Sequence, residues 1–142
     1  MSTFIIPIIV VFATQILKLS VDGVKGNLVF RNLFLEYGGM PSAHSALVTS
    51  LTTVVALNDG FYSAGFGISL IFSFIIIRDA FTLRKYLGEE GVVVNQIISS
   101  LPKEEQKKYP LLPVKVGHTV KQVLAGIAWG FGLTLILSFL FL

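Results

Sequence analysis

The sequence predicts an all-α fold: an integral membrane helical bundle of about four transmembrane helices, with additional interfacial helical segments. Three observations predict it. The 142 residues are 54% hydrophobic and only 13% charged, whereas a soluble domain of this size carries about 25% charged residues. Four apolar stretches run along the chain, and the basic residues collect on one side of them. The length is that of a single domain, residues 1–142.

Each apolar stretch approaches the roughly 20 residues that a transmembrane helix needs. The four stretches are residues 4–19, 42–57, 61–77 and 119–142. Asn58-Asp59-Gly60 is a turn signal between the second and the third. Small side chains in the second stretch, and the glycines of the fourth, suit close contact between membrane helices. Those glycines are Gly126, Gly130 and Gly132, of which the first two form a G-x-x-x-G pair.

Two longer connections, residues 20–41 and 82–117, lie outside these stretches. In the second connection, Val92 to Ile98 form an apolar patch among charged residues, which is typical of a helix lying in the membrane surface. Residues 103–108 are highly charged and are expected to form a solvated helix face or loop. Trp129 lies deep within the fourth stretch, where it is expected to pack against other helices rather than to sit at the interface.

Successive membrane helices alternate in direction, and this alternation brings the polar residues of the chain to one membrane face. The end of the first stretch, the start of the second, the end of the third and the start of the fourth share that face. The polar residues at these positions are Gln15, Lys18, Ser42, His44, Arg78, Asp79, Arg84, His118 and Gln122. Such convergence predicts a functional site.

The eleven lysine and arginine residues all fall on this same face or at its helix ends. The opposite turn and both termini carry none. The positive-inside rule therefore places the site in the cytoplasm and both termini on the other side of the membrane. No basic motif interleaved with aromatic residues indicates nucleic-acid binding, so the bilayer is the expected partner of the positive charge.

The residues on this face have the chemistry that cleavage of a phosphate monoester requires. Cations and amides hold the nonbridging oxygens, a nucleophile attacks in line, and an acid protonates the leaving oxygen. Histidine titrates near neutral pH, so one histidine can attack while the other donates a proton. Lys18, Arg84, Ser42, His44 and His118 form such a set without a metal or cofactor, and no H-E-x-x-H motif or carboxylate cluster suggests a metal site.

Pro41-Ser42-Ala43-His44 resembles the Pro-Ser-Gly-His motif of the type 2 phosphatidic acid phosphatase and vanadium haloperoxidase superfamily. The wider pattern is similar to the divergent branch of that superfamily, a group of small integral membrane proteins. Order and spacing agree over almost the whole chain. The matching segments are Gln15-x-x-Lys18, residues 38–46, Asp79-Ala80, Arg84-Lys85, Gly88-Glu89, Asn95 and Gly117-His118-Thr119, with Val123 and Gly126.

The resemblance implies a role for each site residue. His118 is the nucleophile that forms a phosphohistidine, and His44 protonates the leaving alkoxide. The phosphate oxygens are held by a group of cations, hydroxyls and amides, and other polar residues support the site. The phosphate-binding group is Lys18, Ser42, Arg84, Gly39 and Arg78, and the supporting group is Gln15, Asp79, Gln122, Glu89 and Asn95. Asp79 pairs with Arg78 or Arg84, or contacts substrate, and Glu89 and Asn95 are most simply structural.

Position 122 departs from the pattern. The broader superfamily has aspartate four residues after the nucleophilic histidine, the divergent branch commonly has glutamate, and this chain has Gln122. An amide can orient an imidazole but cannot stabilise its charged form. The departure gives weight to a non-catalytic alternative, a membrane protein that binds anionic lipid through the same basic face.

The sequence is thus interpreted as a membrane-embedded lipid phosphate phosphatase, a phosphoric monoester hydrolase. The favoured substrate is a glycerophospholipid phosphate such as phosphatidylglycerophosphate or phosphatidic acid, since the site faces the cytoplasm. An isoprenoid phosphate or diphosphate is the alternative substrate. Four short helices enclose little volume, so a homodimer that completes the core is a further possibility.

Overall fold

The fold is helical in every range that the structure describes. The computed structural model describes residues 2–22, 40–114 and 118–141, and all regular elements within them are helices. The elements are α1 (Ser2–Asp22), α2 (Ala43–Asp59), α3 (Ala64–Arg78), a π-helical segment (Asp79–Leu83), α4 (Arg84–Ser100), α5 (Lys103–Gln106) and α6 (Val120–Phe141). The all-α prediction is confirmed, and α1, α2, α3 and α6 coincide with the four apolar stretches to within a few residues.

The turn between α2 and α3 forms where the sequence predicts it. Gly60 has a φ of +85°, a value that favours glycine, and its N–H closes the end of α2 on the Ala56 carbonyl at 3.1 Å. The Ser63 hydroxyl then accepts the Phe66 N–H at 3.1 Å and caps the start of α3. The two helices are therefore antiparallel neighbours, as their short connection requires.

Helix α2 is the centre of the bundle. Helices α1, α3 and α6 all pack against it, and α1 also packs against α6. The contact with α6 is close because of two glycines. A Cβ atom on Gly126 would overlap the Ser42 carbonyl oxygen, and one on Gly130 would lie 2.5 Å from the Ala46 carbonyl oxygen. Gly132 has open space around it, so of the three glycines expected to support packing, two do so.

Many large apolar side chains lie outside the bundle, whereas hydroxyl-bearing side chains lie inside it, beside a core that includes Ile6 and Val10. Phe139, Ile68 and Phe74 are 89%, 70% and 68% exposed. Thr14 and Thr134 are fully buried. A water-soluble protein has the opposite arrangement, with its large apolar residues in the core. This distribution suits a surrounding of hydrocarbon rather than water.

Hydrogen bonds between buried hydroxyls connect the helices. Thr134 of α6 donates to Ser50 of α2 at 2.6 Å, and the hydroxyls of Thr52 and Ser73 join α2 to α3 at 2.7 Å. The Trp129 indole N–H donates to Thr14 of α1 at 3.1 Å. Trp129 also packs against the buried core cluster, which confirms that it is a packing residue. Such polar contacts between helices are common in membrane bundles, where no hydrophobic effect drives helices together.

One helix among the described residues, α6, has both the length and the apolar composition to cross a membrane. Thr3–Lys18 and Ala64–Arg78 are apolar but shorter. Helix α2 is less apolar than these three helices, because it contains the serines and threonines that contact the neighbouring helices. Crossing by four helices therefore remains a prediction, whereas the helical bundle itself is observed.

The chain between α3 and α5 differs from the sequence prediction. The sequence interpretation ends a helix near Ile77 and begins a connection at Thr82, yet the structure continues helically from Ala64 to Ser100. No proline occurs in this range, and the helical run ends only shortly before Pro102. Most of the apolar patch expected on a surface helix is exposed on α4: Val92, Val93, Val94 and Ile97.

Candidate active site

Two backbone hydrogen bonds bring three helix ends together. The Ser42 N–H, at the start of α2, donates to the Gln122 carbonyl in the first turn of α6 at 3.1 Å. The His118 N–H donates to the Ala80 carbonyl in the π-helical segment at 2.9 Å. At the far end of the bundle, the Asn58 side chain donates to the Thr3 hydroxyl at 2.8 Å. The alternating helix directions therefore place the polar helix ends on one face.

The two histidines both lie at this face. His44 lies in the first turn of α2, and His118 lies two residues before α6 begins. The rings are within electrostatic range of each other, and both are within range of Lys18 on α1 and of Arg84. Four elements of the chain thus contribute to one cluster, which is called the cationic cluster after the charges of Lys18 and Arg84 and also contains His44 and His118.

The π-helical segment sets the position of Arg84. Its guanidinium Nε donates to Asp79 Oδ2 at 2.7 Å, and its backbone N–H bonds the Asp79 carbonyl. Residues five apart lie on different sides of an α-helix, since one turn takes 3.6 residues. The wider π turn brings them onto one side, so the bulge aligns Asp79 with Arg84. Of the partners expected for Asp79, the structure has Arg84.

The His118 ring is partly enclosed. Its Nδ1 is buried and finds no hydrogen-bond partner among the described residues. Burial lowers the pKa of His118 below its ordinary value of 6.5, and the charges of Lys18 and Arg84 act in the same direction. The side-chain amide of Gln122 partly offsets this lowering of the pKa. The ring is therefore neutral, and able to act as a nucleophile, at neutral pH.

A family model described as the Divergent PAP2 family matches residues 1–133 of this chain. The chain belongs to the Divergent PAP2 family. The match confirms the resemblance read from Pro41-Ser42-Ala43-His44. A relative of this chain is the uncharacterized membrane protein YuiD of Bacillus subtilis (strain 168), which is 34% identical over 147 residues. That alignment covers 94% of this chain and 90% of the relative. No solved structure matches the chain significantly.

In this divergent PAP2 protein, Gln122 and Thr119 cap the start of α6. The Gln122 Oε1 accepts the Thr119 N–H at 2.8 Å, and the Thr119 hydroxyl accepts the Gln122 N–H at 3.3 Å. This reciprocal pair is a capping box, with threonine at the N-cap and glutamine three residues later. Sequence reasoning assigned Gln122 to the histidine alone, although the Thr-x-x-Gln spacing before an apolar run is itself a capping signal.

Ser42 lies at the contact between α2 and α6 rather than on an open surface. The residue is fully buried, and its hydroxyl oxygen accepts the Ser45 N–H at 3.4 Å and the Ser45 hydroxyl at 3.0 Å. Its side chain thus caps α2, and its backbone N–H holds α6. Ser42 therefore joins the start of α2 to α6, two residues before His44. Gly39, the other expected phosphate ligand of this loop, lies outside the described residues.

The remaining predicted site residues differ in their burial and in their contacts. Gln15 is half-buried on α1, and Arg78 is exposed at the end of α3. Glu89 is exposed and forms a 3.7 Å ion pair with Lys85. Asn95 exchanges two hydrogen bonds with the backbone of Leu112, at 2.8 and 2.9 Å, and so fastens the following loop to α4. Its contacts are structural.

Among the described ranges, no three His, Asp or Glu side chains are grouped to hold a metal ion.

Proposed function

We propose that this chain is a metal-independent phosphatase acting on a lipid phosphate at the cytoplasmic face of a membrane, with four helices spanning the bilayer. The observation that carries the proposal is the convergence of His118 and His44 with Lys18 and Arg84 at one end of the bundle. Family membership supports it, since the family description refers to phosphatidic acid phosphatases of type 2.

The reaction proceeds in two displacements. In the first, His118 Nε2 attacks the phosphorus, the bond from phosphorus to the lipid oxygen breaks, and protonated His44 gives its proton to the leaving alkoxide. The products are the lipid alcohol and a phosphohistidine. In the second, neutral His44 takes a proton from water as that water attacks the phosphorus. The bond to His118 breaks, and inorganic phosphate leaves.

Positive groups on three sides hold the phosphoryl oxygens. Lys18 supplies a point charge, and Arg84 supplies a planar guanidinium whose several N–H donors allow it to bond both Asp79 and a phosphate. The starts of α2 and α6 add backbone N–H groups and the positive ends of two helix dipoles. These groups stabilise the charge that builds up on the phosphoryl oxygens in the transition state.

The substrate class follows from the surroundings of the site. The cationic cluster lies at the end of a bundle whose exposed surface is apolar, so a substrate with a phosphate head and hydrocarbon tail fits both regions. A cytoplasmic site favours a glycerophospholipid such as phosphatidylglycerophosphate or phosphatidic acid. An isoprenoid phosphate is the second choice. A homodimer of this chain would bury part of the exposed apolar surface.

The test is phosphate release by the purified protein in detergent, with chelator present, from a panel of phosphatidylglycerophosphate, phosphatidic acid and isoprenoid phosphates. We expect release from at least one of the first two, and an acid-labile, base-stable phosphoryl adduct on the protein after rapid quenching. Release only after metal addition contradicts the metal-independent mechanism. No release from any lipid phosphate contradicts the phosphatase assignment.

A second candidate function, binding of anionic lipid without catalysis, is favoured by one observation. The carboxylate that family members commonly have at position 122 is replaced by an amide that is engaged in the capping box. A binding protein would retain affinity for lipid phosphates and form no phosphoryl adduct, so the adduct measurement separates the two functions.

Replacing Gln122 by glutamate is expected to change the pH profile in a defined direction. The proposed activity of the native chain requires neutral His118. In a plot of kcat/KM against pH, the midpoint of the acid limb should therefore lie below pH 6.5. A carboxylate at position 122 favours the protonated ring and raises its pKa, so the acid limb of Gln122→Glu moves to higher pH. A charge-assisted hydrogen bond should also raise the plateau rate about tenfold. The measurement is kcat/KM against pH.

Glutamate keeps the capping box, since either residue suits the third position of the helix. Gln122→Ala, which lacks both the cap and the charge, is the control and should leave the limb at or below its native position. An unmoved acid limb in Gln122→Glu would mean that His118 is not the group whose titration controls activity.

A further inference from the structure

An apolar pocket opens beside the cationic cluster, between α1 and α6. Its volume is about 440 Å³, within the range of small-ligand sites. Among the described residues, those that line it carry no charge. The residues that line it are Leu17, Met40, Pro41, Ala125, Ala128 and Trp129. We refer to it as the tail pocket.

The residues that line the tail pocket adjoin residues of the phosphate-binding region along the chain. Leu17 adjoins Lys18 along α1, and Pro41 adjoins Ser42 at the start of α2. On α6, Ala125 lies one turn beyond Gln122. Every segment that lines the pocket therefore leads within about one helical turn to a residue of the site.

Trp129 lines the pocket at the end that lies farther along α6 from Gln122. Its indole packs against the core and donates to Thr14, which fixes the ring between α1 and α6. From Ala125 to Trp129 the lining residues of α6 span about 6 Å along the helix axis, at 1.5 Å per residue. Alanines at positions 125 and 128 leave the space that larger side chains would fill.

An apolar slot whose lining residue Leu17 is followed along α1 by the cation Lys18 fits one class of ligand, an amphiphile whose anionic head is joined to a hydrocarbon chain. A free phosphate would leave the slot empty, and an uncharged hydrocarbon would leave the cations unused. We propose that the tail pocket holds the first segment of the hydrocarbon chain of a lipid phosphate, with the phosphate on the cationic cluster. This assignment rests on the proposed function for the identity of the head group.

The test uses the sole tryptophan of the chain, Trp129, as the reporter. Butyl, hexyl and octyl phosphates that carry bromine at the chain end are titrated into the purified full-length protein, and quenching of its fluorescence is followed. We expect saturable quenching, with the midpoint falling about two- to fourfold per methylene until the chain reaches Trp129. Such short chains are dissolved singly in water, so the pocket competes with water rather than with lipid.

Ala128→Phe fills the pocket and is expected to raise the midpoint about tenfold or more, which corresponds to the loss of one or two buried methylenes. Ala128 is exposed, so the added ring leaves the helix contacts in place. Leu124→Phe is the matched control: it lies one turn earlier on α6, is 58% exposed and does not line the pocket. Its midpoint should equal that of the native chain.

The outcomes separate this inference from the proposed function. Saturable quenching that Ala128→Phe weakens, without phosphate release, supports the tail pocket and contradicts the phosphatase. Two results overturn the tail pocket but are compatible with the phosphatase if phosphate is released. The first is quenching that rises linearly with ligand concentration, and the second is an equal quenching midpoint for Ala128→Phe and Leu124→Phe. Equal affinity for the butyl and octyl phosphates also overturns the tail pocket.

Discussion

Replacing His118 by alanine should lower phosphate release by at least about 10³-fold, because the residue is the proposed nucleophile. The phosphoryl adduct should vanish with it. The measurements are kcat for the best lipid phosphate and the amount of adduct after quenching. Adduct formation at the native level in His118→Ala would place the nucleophile elsewhere.

His118→Ala should remain folded, which makes the result interpretable. The bond that ties this position to Ala80 uses the backbone N–H, which alanine keeps, and the ring is only half-buried. Quenching of Trp129 by brominated alkyl phosphates checks that the variant still binds. Retained quenching with lost turnover separates loss of chemistry from loss of structure.

His44→Ala is the companion variant, and it should depend on the leaving group. An alkoxide needs the proton that His44 supplies, whereas nitrophenolate leaves without one. The loss should therefore be large, about 10²- to 10⁴-fold, for a lipid phosphate and small for nitrophenyl phosphate. Equal losses for both substrates would contradict a general-acid role for this residue.

Replacing Gly126 by valine should disrupt both the bundle and the site. A Cβ at this position would overlap the Ser42 carbonyl oxygen and lie 3.1 Å from Ser45 Cβ, so α6 must move away from α2. Overpacking of this kind costs about 1–3 kcal/mol in the free energy of unfolding. Separating α2 from α6 also separates His44 from His118, and a displacement of about 1 Å can cost 10²-fold in rate.

Gly132→Val is the matched control on the same helix. A Cβ there meets nothing within 4 Å, so valine adds a side chain without a contact. The thermal midpoint in detergent and kcat are measured for both variants. We expect a lower midpoint and about 10²-fold lower kcat for Gly126→Val, with both values close to native for Gly132→Val. Equal effects would mean that the crossing of α2 and α6 does not position the histidines.

The general placement of the site could be predicted from the sequence, because it follows from few rules. Apolar stretches locate the helices, alternation of direction decides which ends meet, and Pro41 to His44 mark the start of α2. The observed bonds from Ser42 to Gln122 and from His118 to Ala80 agree with that reasoning. Gly126 and Gly130 also pack as their spacing suggests.

The details within the site could not be predicted, because they depend on local geometry that no pattern encodes. A π turn needs one residue more than an α turn, and residues 79–83 carry no composition signal for it. Without that turn, the pairing of Asp79 with Arg84 could not be distinguished from pairing with Arg78. The burial of Ser42 results from the glycine contact with α6, which brings the backbone of α6 over it.

The hydroxyls of α2 have a consequence for how the protein is made. Ser50, Thr52 and their neighbours join α2 to the helices around it, and they also make α2 a poor candidate to enter lipid alone. In a membrane, α2 would have to pack against α1 as it left the insertion machinery, and α3 and α6 would then have to pack against it. Helix α2 would at no stage be surrounded by lipid alone. The helix at the centre of the bundle is thus the one least suited to enter lipid without its neighbours.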